Sequence, residues 1–406
     1  MTELVSLRCD PAEVEQRAVQ LSQALERGAW VQLLPPVGIS GLISRDLLPD
    51  GPGVVVASGG TSGGQQHCLQ PCSHLDLSAW ATGRWLLEQG YDLQQCLVLN
   101  PLPLHHVSGL MPWWRSLCWG ATHAWLLPAL MRNPGSLEQW CESLPGWGEK
   151  CALISLVPTQ LQRLLAHSAG RRFLQACDVI WVGGAALSQA LAQAARAEGL
   201  RMAPCYGATE TAAMVTALAP EDFLAGAMDC GSPLDDVELH LAPDGGLQVR
   251  TARLALARWL GEGLQDVRDH QGWWTSGDAA RFSSHGSQLR LCIDGRLDGA
   301  IHSGGETVFP DQVQQQLMEL ALAAGFPLVD LLLLDEPDPL WGARLVALVR
   351  LRDGEELSKL ELVLVELAQQ LPSCQRPRRW IACPNLERTD SGKFQRSKWI
   401  QWLSEL

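Results

Sequence analysis

From residue 51 to about 217, short apolar runs alternate with stretches of helical spacing, a rhythm that calls for a sheet with helices packed on its faces. VVVA at 54–57, CLVL at 96–99, AWLL at 124–127, ALISLV at 152–157, DVIWVGG at 178–184 and MAPCYG at 202–207 read as buried strands. Residues 76–90 read as a helix, and Pro158 suits the first turn of another. Residues 1–50 read as one helix followed by a Pro/Gly-rich connection through Pro35, Pro36, Gly38 and Gly41. Over 230–294, short strands and Gly, Pro and Asp turns indicate a small β subdomain. Beyond it come a helix at about 310–324, strands at 328–334 and 343–350, a helix at 355–370 and a basic segment, which together describe a small α+β unit. The fold class expected is α/β, with a large N-terminal domain over 1–297 and a small C-terminal domain over 298–406, divided near Asp298.

The net charge of −13 argues against a general nucleic-acid surface. An anionic ligand must then be held by a local site of backbone amides, a metal ion and a few placed cations. Lysine occurs only at Lys150, Lys359, Lys393 and Lys398. The 13 cysteines are scattered, and no second pair follows Cys68 and Cys72 at zinc spacing, so small buried thiols in a reducing compartment are expected. No apolar run approaches the ~18 residues of a membrane span, and the N-terminus lacks the basic start and apolar block of a signal peptide. A cytoplasmic enzyme is the expectation. Oligomeric state leaves no trace in the sequence.

Five segments carry chemistry. VVVASGGTSGGQQH runs a buried strand into Ser58, Gly59, Gly60, Thr61, Ser62 and Gly63, where glycine amides and hydroxyls can converge on phosphate oxygens. It lacks the Gly-Lys-Ser/Thr ending of a Walker loop, and a plain surface loop fits the same letters. Tyr206-Gly207-Ala208-Thr209-Glu210-Thr211 offers an aromatic face for a base, a hydroxyl for a phosphate and a hard oxygen for magnesium, or else a capped turn. Asp278, at the end of GWWTSGD, has two acceptor oxygens suited to vicinal ribose hydroxyls, or caps a turn. Arg296, in DGRLD, can meet nucleotide oxygens, and Gly304 and Gly305 follow it. Arg388-Thr389-Asp390-Ser391-Gly392-Lys393 can carry a cation into a closing site, or is a solvated loop.

Each segment alone admits a structural explanation, but their order resembles the adenylate-forming superfamily of acyl-CoA synthetases, adenylation domains and luciferases, over about residues 54–396. The resemblance implies ATP, Mg²⁺ and coenzyme A as ligands and a small domain that moves about a hinge at Asp298. It implies that Ser58, Gly59, Gly60, Thr61, Ser62 and Gly63 grip phosphates. Gly183, Gly184, Ala185, Tyr206 and Gly207 would flank the adenine, Thr209 would touch phosphate and Glu210 would bind the metal. Asp278 would hold the ribose, Arg296 the nucleotide and Lys393 the reacting carboxylate and α-phosphate, while Gly304 and Gly305 would line a passage for the pantetheine arm. Two departures stand out: Gln65-Gln66 replace the family's Pro-Lys, with His67 a substitute for the lost cation, and the stretch before the loop is short. The chain's end soon after Lys393 favours free coenzyme A over an attached carrier.

Pro103-Leu104-His105-His106-Val107-Ser108-Gly109-Leu110 resembles the histidine segment beside the family's acyl pocket, in a form most similar to the 2-succinylbenzoate–CoA ligases of menaquinone and phylloquinone biosynthesis. That substrate has two carboxylates. For the one that does not react, His105, His106, Ser108 and Arg115 are candidate donors, with Gly109 beside them. Ligation of another aromatic or medium-chain acid, and a non-catalytic nucleotide binder, are the alternatives.

Overall fold

The computed structural model describes residues 3–37, 41–58, 66–261, 263–285, 288–388 and 394–406. The chain divides into two compact units. The first comprises Met1–Ala242, Leu247–Ser276 and Arg281–Cys292; the second comprises Pro243–Gly246, Gly277–Ala280 and Ile293–Leu406.

The first unit opens on a βαβ crossover where a single helix was expected. Strand Leu4–Arg8 leads through helix Val14–Glu26 to strand Trp30–Leu34, and the two strands pair in parallel from Leu4 opposite Trp30 to Arg8 opposite Leu34. Asp10 stops the first strand by accepting a hydrogen bond from the Ala12 amide at 2.9 Å, which starts the helical segment. Helical spacing was legible only at 14–26. WVQLL is a continuous buried run, and periodicity alone does not distinguish such a strand from a helix. Strands Gly53–Ser58, Gln66–Pro71, Ala257–Trp259 and Leu264–Asp266 complete a six-stranded sheet in that spatial order. Side chains alternate across it: Val54 and Val56 enter a core with Leu75, Leu110 and Trp113, while Val55 and Leu69 pack on the other face with Trp30, Ile43 and Trp259.

The second sheet of this unit carries strands in the order Ser232–Pro233, Ala213–Ala217, Met202–Ala208, Val179–Val182, Cys151–Leu156, Cys96–Asn100 and Thr122–Trp125. The last five run parallel. Helices Pro158–Leu165, Ser168–Gln175 and Gln189–Ala197 bury Leu161, Phe173 and Ala192 against Ile154, Ile180 and Met202 on one face. Pro158 is at the helix start, as its missing N–H allows. Cys96–Asn100 lies between the strand that follows it and the next one, so the strand order reverses there. In open α/β sheets, crevices form at the carboxyl ends of strands beside such a reversal. The segment 101–106 leaves from that point.

In the second unit, strands Glu306–Val308, Ile301–Ser303, Gly342–Leu351 and Leu328–Asp338 lie side by side, with Arg379–Ala382 parallel to Gly342–Leu351. Helices Pro310–Ala323 and Leu357–Ala368 cover one face through Val313, Leu317 and Leu364; helix Arg396–Ser404 covers the other through Trp399. Among the described residues no helix is long and apolar enough to cross a membrane.

Candidate active site

Asn100, the last residue of its strand, organises the segment that follows. Its Nδ2 donates to the Gly109 carbonyl at 2.8 Å and its Oδ1 accepts from the Leu102 amide at 3.3 Å. Its Nδ2 also lies 3.3 Å from His123 Nε2, which can accept because burial keeps that imidazole neutral, its pKa pushed down to about 4. A Cβ on Gly109 would sit 2.2 Å from the Pro103 carbonyl oxygen and 2.5 Å from that of Leu102, so only glycine permits this crossing of backbones. The His105 and His106 rings lie against each other, tilted by 42° with centroids 4.3 Å apart. Burial first, and His106 second, push His105 down to about 4, leaving it neutral and able to donate and accept. Ser108 lies in the first turn of helix Val107–Trp119.

That helix turns Trp113 and Trp114 into the core and carries Arg115 into the interior, only 3% exposed. The guanidinium stands over the Trp181 ring at 5.6 Å, and its Nε is buried with no hydrogen-bond partner. Arg115 has no ion pair among the described residues. Burial pulls it down to about 10, against an opposing pull from Cys205, so it remains cationic at neutral pH. A buried cation without an anion is costly by several kcal/mol, and such groups normally pair or bind a ligand. Trp181 faces Arg115 because Ile180 and Val182, its neighbours on the strand, turn to the opposite core.

Gly183, Gly184 and Ala185 follow strand Val179–Val182, with the Gly183 amide donating to the Leu156 carbonyl at 3.3 Å. Tyr206 and Gly207 lie in strand Met202–Ala208, and Thr209 and Glu210 occupy the turn after it. Glu210 is 6% exposed and accepts from the Ser58 hydroxyl at 2.8 Å, so the first and second motifs meet directly. Gln70 Nε2 donates to the Thr209 carbonyl at 2.8 Å. The turn is strained: Ala212 and Ala213 have φ of 51° and 80°, a region that costs L residues about 1–2 kcal/mol each. Arg253, fully buried, holds it. Its Nη1 donates to the Thr211 carbonyl at 2.6 Å and its Nη2 to that of Met214 at 3.0 Å, while Nε meets Asp236 at 2.6 Å. The Ser78 hydroxyl donates to the Ala212 carbonyl at 2.5 Å.

Arg253 and Asn100 were not anticipated. Arg253 was detectable as a charge inside the apolar stretch TARLALA, the pattern of a buried, paired guanidinium. Asn100 had no signal beyond its place at a strand end. His67, suggested as the replacement cation, does not serve. It is buried against Trp259 at 5.4 Å, and burial lowers its pKa, which favours the neutral form. Strand alternation turns it to the face opposite Cys68 and Gln70, the pair that adjoins Glu210.

In the second unit Arg296 links two motif carboxylates. Its Nε and Nη2 engage both oxygens of Asp298 at 3.0 and 2.9 Å, and its Nη1 lies 3.5 Å from Asp278. Gly304 and Gly305 join two short strands with φ of 62° and 86°, as a two-residue type I′ hairpin requires. Gly59, Gly60, Thr61, Ser62, Gly63 and Lys393 lie outside the described residues. The segment carrying Lys393 has anchored ends: Arg388 donates to Asp330 at 2.7 Å and covers the Phe394 ring at 4.2 Å, and Arg396 donates to the Leu333 carbonyl at 2.7 Å.

The AMP-binding enzyme family matches residues 69–252. Solved structures give the architecture. An o-succinylbenzoate CoA synthetase from Bacillus subtilis, in complex with its acyl-adenylate intermediate, superimposes over 98% of this chain and 88% of its own, with a TM-score of 0.74 at 18% identity. This chain has the fold of that synthetase. The same fold is seen in an Escherichia coli o-succinylbenzoate enzyme, with a TM-score of 0.65, 24% identity and coverage of 99% of this chain and 88% of that one. Among curated proteins, the 2-succinylbenzoate–CoA ligase of Escherichia coli (strain K12) is 32% identical over 75% of this chain. That match spans 60% of the relative's own length. A probable 2-succinylbenzoate–CoA ligase of Mycobacterium tuberculosis is 27% identical, over 87% of this chain and 85% of the relative.

Proposed function

We propose that the chain is an ATP-dependent acid–CoA ligase, AMP-forming, whose acid is 2-succinylbenzoate, acting in the cytoplasm in menaquinone or phylloquinone synthesis. The observation that carries the choice of acid is Arg115: a buried cation with no carboxylate partner among the described residues, at the end of the sheet from which the His105–His106 segment departs. A dicarboxylate guest supplies the missing anion while leaving its other carboxylate to react. Relatives named 2-succinylbenzoate–CoA ligase support the reading.

In the first half-reaction a carboxylate oxygen attacks the α-phosphorus and the bond to the β-phosphate oxygen breaks, releasing pyrophosphate. Two anions must approach, so cations and amide donors at the reacting centre lower the barrier. Lys393 fills that role. Ser58 to Gly63 cradle the departing phosphates, and Thr209 donates a hydroxyl. Glu210 suits Mg²⁺, which takes one or two carboxylates and completes its shell with phosphates and waters; a buried carboxylate that accepts from the Ser58 hydroxyl and has no cation paired with it among the described residues fits that need. The metal would neutralise charge on the pyrophosphate. Gly183 to Ala185, Tyr206 and Gly207 flank the adenine, and Asp278 receives the ribose hydroxyls with Arg296 at its side. In the second half-reaction the coenzyme A thiolate attacks the acyl carbonyl and AMP leaves. Movement of the residue 298–406 domain about Asp298 withdraws Lys393 and turns Gly304 and Gly305 toward the thiol's path.

The test is pyrophosphate release with ATP, Mg²⁺ and a panel of acids, followed by thioester formation on adding coenzyme A. Turnover with 2-succinylbenzoate is expected, abolished in Lys393→Ala. Arg115→Met should raise KM for 2-succinylbenzoate at least tenfold and leave KM for ATP within twofold. Selective turnover of a monocarboxylic acid would overturn the choice of acid; absence of pyrophosphate release across the panel would overturn the ligase.

A further inference from the structure

A polyphosphate bound beside Glu210 needs compensating positive charge, yet no lysine or arginine lies between Arg45 and Arg84, so the glycine loop and its flanking strands carry none. The strand register shows where one comes from. Ser58 pairs with Gln66 and Val56 with Cys68, so these residues share a sheet face. On the other side of the same strand Cys68 pairs with Arg258. Arg258 therefore stands on that face too, on the strand beside Gln66 and Cys68 and one strand removed from Ser58. Glu210 borders the same face: its carboxylate accepts from the Ser58 hydroxyl at 2.8 Å, and its carbonyl accepts from Gln70 Nε2 at 3.4 Å. Glu210 and Arg258 thus flank one face of the sheet.

The Arg258 side chain is half-buried and poorly satisfied. Its Nε is buried with no hydrogen-bond partner, its Nη2 reaches Gln265 only at 3.5 Å, and no carboxylate pairs with it among the described residues. A guanidinium held this way has its planar donor edge available for an anion.

We propose that Arg258 binds the terminal phosphates of ATP, supplying from the neighbouring strand the charge that the glycine loop lacks. The inference rests on the ATP-dependent reading above. It separates the two ends of the nucleotide: Arg258 acts on the β- and γ-phosphates and leaves adenosine and the α-phosphate to other groups.

Calorimetric titration of the whole chain with Mg²⁺-ATP and with AMP tests this without requiring turnover. Arg258→Met should weaken ATP by about tenfold or more, as expected for loss of a charge-assisted contact, while AMP binding stays within twofold and shows that the fold is intact. Arg258→Lys should retain most ATP affinity, and Gln66→Lys added to Arg258→Met should recover part of it, because residue 66 faces the same side. Equal loss of ATP and AMP would make Arg258 a structural countercharge to Glu210 and overturn the proposal; so would unchanged ATP binding in Arg258→Met. If the unaltered chain bound neither nucleotide, the ATP-dependent reading itself would fall, a result distinct from either.

Discussion

Replacing Arg253 with methionine removes a buried side chain that bonds two carbonyls of the strained Thr209–Met214 turn, and its cost can be worked from the contacts. The guanidinium is fully buried and serves the Thr211 and Met214 carbonyls and both oxygens of Asp236, at 2.6, 3.0, 2.6 and 3.2 Å. Methionine fills most of the space but leaves Asp236 without its cation, with only the Thr251 hydroxyl still donating to it among the described residues, and takes the Arg253 donors from two carbonyls. Breaking a buried pair from one side costs about 3–5 kcal/mol, and the carbonyl losses, about 1 kcal/mol or more each, overlap with that rather than add. At roughly 2 °C per kcal/mol for a unit of this size, the melting transition of the first unit should fall by about 6–10 °C. Differential scanning calorimetry reads it, since two units need not melt together. Arg253→Lys keeps the charge but not the fork, so it should recover less than half of the loss. Because Glu210 follows Thr209 in the same turn, pyrophosphate release at a temperature where both proteins are folded should also drop, through kcat more than through KM for the acid. A melting shift under 2 °C would refute the claim that Arg253 holds the turn.

Gly109→Ala drives a Cβ to within 2.2 Å of the Pro103 carbonyl oxygen; no side chain can yield there, so a loss above about 3 kcal/mol is expected in denaturant titration, with impaired acid binding. Ala213→Gly relieves the φ of 80° and should be neutral or stabilising by up to about 1 kcal/mol, whereas Ala213→Val should cost more than about 2 kcal/mol; equal effects would argue against strain at that turn. His123 is held neutral by burial, its pKa at about 4 against 6.5 in the unfolded chain. The unfolded state therefore binds a proton first, so this contribution to stability is complete above pH 6.5 and is lost as the pH falls toward 4. His123→Asn, whose amide oxygen can still accept from Asn100, should show a shallower decline of melting temperature between pH 6.5 and 4.5 than the unaltered chain; parallel curves would remove His123 as a source of the acid sensitivity.

Much of the architecture was legible because local physics specifies it. Six of the seven strands of the two sheets lying between residues 51 and 208 fall at or within two residues of the apolar runs that announced them; only Gln66–Pro71, whose letters are half polar, was not foreseen. Its burial comes from its neighbours on both sides, which a single strand cannot encode. The N-terminal crossover was hidden for a related reason, since WVQLL is buried on both faces and carries no alternation to read. The ordered motifs pointed to the chemistry proposed above, because close backbone approach to phosphates demands glycine and magnesium demands a hard oxygen wherever they occur in the chain. What only the tertiary structure decided was which side chains share a face. Ser58 meets Glu210 across 152 residues, Arg253 reaches a turn some 40 residues away, and His67 points away from the site that its sequence position suggested. A one-residue step along a strand reverses the direction of a side chain, and register is set by pairing between distant segments. For that reason neither the burial of Arg115 without an ion pair among the described residues nor the placement of Arg258 beside Cys68 could be deduced before the sheets were assembled.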